Sequence, residues 1–115
     1  MQTPLQITFQ DIEPSEFIES RIREKVAKLE RFYDRIVSVR VVVAAPHRSS
    51  NNGNAFNVRL DITIPGKEIA INRQPENNHA YEDVYVVIRD AFVAAERQLK
   101  SEAAIRREAK QHGVG

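Results

Sequence analysis

Lysine and arginine recur at Arg21, Lys25, Lys28, Arg31 and Arg35, and again at Arg89, Arg97, Lys100 and Arg107. If both segments are helical, these spacings place the side chains in ridges. A ridge of fixed positive charge suits phosphate, because that attraction needs charge density and no particular base. The other residues with chemical capability form no comparable set. His47, His79 and His112 are far apart and lack metal-ligand spacing, so they read as surface histidines. Glu82 and Asp83 are adjacent carboxylates, but acids at the start of a helix more often answer its dipole than perform acid–base work. Ser49 and Ser50 sit in a polar stretch without a nucleophile-elbow pattern. The chain has neither a glycine-rich dinucleotide fingerprint nor a phosphate-binding loop. The sequence therefore points to binding rather than catalysis, with no cofactor, metal or small-molecule substrate expected.

The ridges must be carried by regular elements, and hydropathy periods identify them. Leu5, Ile7 and Phe9 alternate with Gln6, Thr8 and Gln10, the pattern of a half-buried strand. Pro14 suits the start of a helix that Ser15 or Glu13 caps, running to about Tyr33. Ile36 to Ala44 is valine-rich and reads as a more buried strand. The polar stretch from Pro46 to Asn54 is a loop. Phe56, Val58, Leu60, Ile62 and Ile64 give the clearest period of two in the chain. Pro65-Gly66 is a turn signal, and Ile69 and Ile71 continue the alternation, which predicts a hairpin. After a second loop, Arg73 to His79, a long helix is expected from about Tyr81 to at least Lys100, or as far as Lys110.

The order β-α-β-β-β-α predicts an α+β two-layer sandwich. A mixed four-stranded sheet carries both helices on one face and leaves the other face wet. The helix between the first two strands is long enough for a crossover, so those strands should be parallel or lie in one sheet. Residues 1–100 form one domain in this reading, and 101–115 a basic helical extension or flexible tail.

The length, 115 residues, suffices for one domain with its own core. Without cysteine there are no disulfides and no thiolate metal sites. No apolar run is long enough to span a bilayer and no signal peptide is recognisable, so a cytoplasmic protein with no membrane partner is expected. Lys and Arg number 17 against 16 Asp and Glu, a net charge of only +1. Any cationic surface must therefore arise by segregation.

Stepping 100° per residue along the first helix gives Ile18, Ile22, Val26, Leu29 and Tyr33 as the core stripe. Arg21, Lys25, Lys28, Arg31 and Arg35 form a ridge beside it, and Glu16, Glu19, Glu30 and Asp34 lie mainly on the other flank. On the second helix Val84, Val87, Ile88, Ala91, Ala95 and Leu99 face inward. Arg89, Arg97, Lys100 and Arg107 cluster outward with Glu96 among them, and Arg106 and Lys110 add to the tail. Two ridges over one sheet face can line a shared groove. Charge pattern alone favours a merely solvated face over an RNA site, since most soluble helices carry Lys and Arg on their wet side. Tyr81 and Tyr85 could stack on a base, but at helical spacing one or both read as packing residues at the sheet edge.

Two segments carry more than composition. Ala27 to Arg35 reads AKLERFYDR and precedes the valine-rich strand; Asp83 to Lys100 reads DVYVVIRDAFVAAERQLK. With the element order and the length, the chain resembles the bacterial family of ribosome hibernation promoting factor and ribosome-associated inhibitor A, in its short form. The resemblance covers nearly the whole chain. It implies a two-layer fold like that of double-stranded-RNA-binding domains. It also implies binding to the small ribosomal subunit and its rRNA, in the channel that mRNA and the A- and P-site tRNAs use. Stress-related inhibition of translation by occlusion would follow. Lys28, Arg31 and Arg97 match basic or polar family positions, and helical geometry adds Lys25, Arg89 and Lys100.

The chain departs from the family pattern at Ala94 and Ala95, where lysines are frequent, and at Arg89, where an acid is common. Its two loops are longer and its tail is basic. The chain as given lacks the further C-terminal domain through which long members pair ribosomes, so pairing by this chain alone is not expected. Two other readings stand beside this one: a free double-stranded-RNA-binding module, and a protein-interaction module that modulates a transcription factor.

Overall fold

A computed structural model describes residues 3–45, 56–73 and 83–112, with side chains in the last segment described to residue 105. The elements are β1 (Leu5–Gln10), α1 (Glu16–Phe32), β2 (Ser38–Ala44), β3 (Asn57–Ile64), β4 (Lys67–Arg73) and α2 (Val84–His112). The loop 46–54, most of 73–79, Tyr81 and Glu82 lie outside the described residues, as do His47, Arg48, Ser49, Ser50 and His79. The same holds for the side chains of Arg106, Arg107, Lys110 and His112.

The four strands form one sheet in the order β1-β2-β3-β4. β1 and β2 are parallel, joined by α1 as crossover, and the other two pairings are antiparallel, so the sheet is mixed. The register puts the apolar alternation on one face in continuous rows. Ile7 lies beside Val41, Val41 opposite Leu60, and Leu60 opposite Ile71. Leu5, Val39, Ile62 and Ile69 form the adjoining row. A one-residue slip in any pair would turn an apolar set to water, which is what holds the register. At the β3–β4 turn Pro65 occupies the first central position and Gly66 the second, with φ +79 at Gly66, the conformation of a type II turn.

Both helices cover this face. Ile18, Ile22, Val26, Leu29 and Tyr33 of the α1 segment join Val39, Val41, Leu60 and Ile62 in one core. So do Val84, Val87, Ile88, Ala91, Ala95 and Leu99 of α2. α1 sits over β1, where Val26 and Ala27 flank Thr3, Pro4 and Leu5, and α2 lies against β3 and β4. Phe92 and Ala94 are buried as well, so α2 has a wider buried face than the expected stripe.

Local chemistry sets the boundaries. The Ser15 hydroxyl accepts from the Ile18 N–H at 3.3 Å, so Ser15 rather than Glu13 is the N-cap of α1. Asp83 caps α2: its carboxylate accepts from the Tyr85 N–H at 2.9 Å and its carbonyl accepts from Val86. β2 begins at Ser38, two residues later than the valine-rich run suggests, although Val37 N–H already donates to the Thr63 carbonyl at 2.7 Å. On the helix-free face Asp61 is buried beside Arg59, 3.5 Å away, and registers opposite Arg40.

Candidate nucleic-acid interface

The two helices run in the same direction. Near the start of each, the Arg21 guanidinium stands 5.0 Å from the centroid of the Tyr85 ring. Further along, Lys100 Nζ stands 5.6 Å from the centroid of Phe32, the last residue of α1. Between these contacts the helices leave a groove lined by Lys25, Lys28, Leu29 and Phe32 from α1 and by Arg89, Phe92, Val93 and Glu96 from α2.

The helical period explains the lining. On α1, positions 21, 25, 28 and 32 follow one another at steps of three and four, so they form one flank just beside the core stripe. On α2, positions 85, 89, 93, 96 and 100 do the same. Leu29 and Phe92 are buried and close the floor, whereas Phe32 and Val93 remain 41% and 42% exposed. The groove thus has an apolar floor and a cationic rim. Among the described residues, no carboxylate comes within ion-pair distance of Lys25 or Lys28. Among the same residues Arg89 pairs with its exposed neighbour Asp90 at 3.3 Å, and Arg21 with Glu24 at 3.7 Å. Exposed pairs of this kind are weak, so these cations remain available to an anion.

The structure therefore joins Arg21, Lys25, Lys28, Arg89 and Lys100 along one groove. It does not bring Arg31, Arg35 or Arg97 there. Arg97, grouped with Arg89 by charge pattern, lies on the opposite flank of α2, beside Ile71 and Arg73 of β4. The reason is angular: positions 89 and 97 are eight residues apart, a displacement of about 80° on the helix. Arg31 is exposed half a turn round α1 from Ile22, pointing away from the sheet, and Arg35 is exposed beyond the end of α1. Arg107 belongs to α2, but its side chain lies outside the described residues.

Charge reasoning missed the aromatic component. Phe32 follows Lys28 by four residues and Lys25 by seven, so the same helical stepping would have placed it on the cationic flank. Tyr85 is partly buried against the core, and it also seats Arg21. Among the described residues no group of His, Cys, Asp or Glu is arranged to hold a metal ion, and no helix is long and apolar enough to cross a membrane.

The class defined here is a two-layer α+β domain whose parallel helices flank a groove with a cationic rim. Residues 5–107 match the model of the family described as sigma 54 modulation protein / S30EA ribosomal protein, and the chain belongs to that family. It is 30% identical over 95 residues to the ribosome hibernation promotion factor of Deinococcus radiodurans, covering 83% of this chain and 46% of that protein. The chain thus spans about half the length of the curated relative it matches. Its fold is similar to a ribosomal subunit interface protein from Coxiella burnetii, with a TM-score of 0.72 and 17% identity over 89% of this chain and 99% of the other. It is also similar to the N-terminal domain of Thermus thermophilus Protein Y, with a TM-score of 0.68 and 18% identity over 87% and 98% of the two chains.

Proposed function

We propose that this chain is a cytoplasmic ribosome hibernation factor that binds the small subunit in its mRNA and tRNA channel and blocks translation by occupying that space. The groove between α1 and α2 carries the reading: Lys25 and Lys28, without a described carboxylate in ion-pair distance, and Arg89, held only by an exposed pair with Asp90, line one groove, as a surface facing rRNA phosphate requires. Family membership supports the ribosome as partner. Arg21 and Lys100 extend the contact at the two ends. Arg31, Arg35 and Arg97 belong to a second, outer set that reaches rRNA only where the channel wraps round the helices, and Arg107 adds charge to the C-terminal extension.

The mechanism is exclusion. A folded domain anchored by phosphate contacts denies the site to mRNA and tRNA, and no bond is made or broken. Residues 1–100 act as the ribosome-binding unit, and 101–115 as its basic extension. The test is peptide synthesis in a purified translation system together with co-sedimentation on sucrose gradients. The expected result is inhibition that saturates near one protein per ribosome, with the protein travelling in the small-subunit fraction. Undiminished synthesis at excess protein, or binding to free duplex RNA in preference to ribosomes, would replace this reading.

A further inference from the structure

We infer that the interhelical groove takes an unpaired nucleotide, with its base on the apolar floor at Phe32 and Val93 and its phosphate on the cationic rim. The inference rests on the reading of this groove as an RNA surface and names the form of RNA it accepts.

A groove built only for duplex backbone has no use for an apolar floor, because phosphate and ribose are polar. Here Phe32 and Val93 stand 41% and 42% exposed in the midst of lysines and arginines. Exposed apolar surface at the bottom of a cationic groove is the arrangement that holds unstacked bases, whose faces are apolar and whose backbone is anionic. Glu96 gives a second reason. Among the described residues it is the one carboxylate lining the groove, and it is half-buried. A phosphate is repelled there, whereas the amino edge of a base donates hydrogen bonds to a carboxylate. Lys100 completes the site. Its ammonium lies over the Phe32 ring, within reach of a phosphate attached to a base stacked on the part of the ring it leaves open. Lys25, Lys28 and Arg89 stand on the rim for the preceding phosphate. The site thus offers a stacking surface, an acceptor for a base edge and cations for the backbone, all within one groove. A-form duplex cannot use the first two, since its bases are stacked and paired.

The test compares three RNA probes on the full chain by fluorescence anisotropy at one salt concentration: a hexa-adenylate, the same backbone with abasic positions, and a self-complementary duplex. The hexa-adenylate should bind roughly tenfold more tightly than the abasic strand, the scale of one stacked base. Phe32→Leu retains apolar volume and removes the ring, and Val93→Ser removes the apolar floor. Each should erase most of that difference while leaving abasic binding unchanged, with circular dichroism confirming the fold. Equal affinity for abasic and base-bearing strands, or tighter binding of the duplex, would overturn the inference. Ribosome co-sedimentation of the same variants separates the two readings. If the base preference is missing while co-sedimentation persists, the groove holds rRNA by phosphate alone. If the preference is present while co-sedimentation is absent, the single-strand site stands and the ribosome reading falls.

Discussion

Neutralising the rim of the groove should change how ribosome affinity depends on salt, and by a calculable amount. Lys25, Lys28 and Arg89 line the groove, and for the two lysines no described carboxylate is close enough to compete. Each cation that neutralises a phosphate releases counterions, contributing about 0.9 to the slope of log K against log salt on duplex and about 0.7 on single strands. Replacing all three by glutamine should therefore flatten the slope by roughly 2 to 2.7. Between 1 M and 0.1 M salt that difference amounts to roughly a hundred- to five-hundredfold loss of affinity, with little change at the high-salt end. The three side chains stand outside the buried core, so the fold should survive, as circular dichroism and urea melts will show. Co-sedimentation with ribosomes across a salt series reads the slope directly. Two comparisons sharpen the result. Arg31→Gln, on the outer side of α1, should flatten the slope by less than any groove cation. Glu16→Lys with Glu19→Lys, at the start of the helix away from the groove, should leave it close to wild type. A folded triple variant whose line runs parallel to that of the wild type would refute the assignment of the groove as the phosphate surface. Arg31, Arg35 and Arg97 would then be the first places to look.

Other consequences concern the scaffold. Ile22 is fully buried at the centre of α1, and Ile22→Ala should lower the stability by about 2–5 kcal/mol in urea denaturation. Gly66 has φ +79 and nothing within 4 Å of the place a Cβ would take, so Gly66→Ala is opposed by backbone strain alone and should be destabilising by about 1 kcal/mol. A neutral result there would show that the hairpin relaxes to a different turn. Ser15→Ala removes the acceptor for the Ile18 N–H and should lower stability by about 1 kcal/mol, whereas Ser15→Asp should retain most of it.

Much of the architecture was legible because water acts on one side of each element. The alternation from Val58 to Ile64 is a strand with one dry face, and the structure buries that face. The stripe Ile18, Ile22, Val26 and Leu29 is a helix with one dry flank, and those residues are buried. Pro65-Gly66 prescribes its own turn by local dihedral preference, and Gly66 adopts the positive φ. Boundaries were less legible. The β-branched run beginning at Ile36 signals extended chain, but ladder pairing starts only at Ser38, where β2 meets Thr63 of β3.

The groove belongs to a different level. Helical stepping assigns Lys25 and Lys28 to one flank of α1, and Arg89 and Lys100 to one side of α2, from sequence alone. It does not say which flank faces the other helix. That depends on the crossover that sets α1 over β1, and on the strand order that carries α2 to β3 and β4 with both helices pointing the same way. Only then do Arg21 and Tyr85, 64 residues apart by their numbers, come within 5.0 Å, and Phe32 and Lys100, 68 apart, within 5.6 Å. The same assembly sends Arg97 to the β4 flank and leaves Arg31 on the outside. By itself the sequence determined the elements, their buried faces and the presence of cationic ridges, because those follow from short-range periodicity and the exclusion of water. The tertiary structure decided which charges share a groove and that its floor is apolar, because that depends on how two helices, far apart in the chain, dock on one sheet.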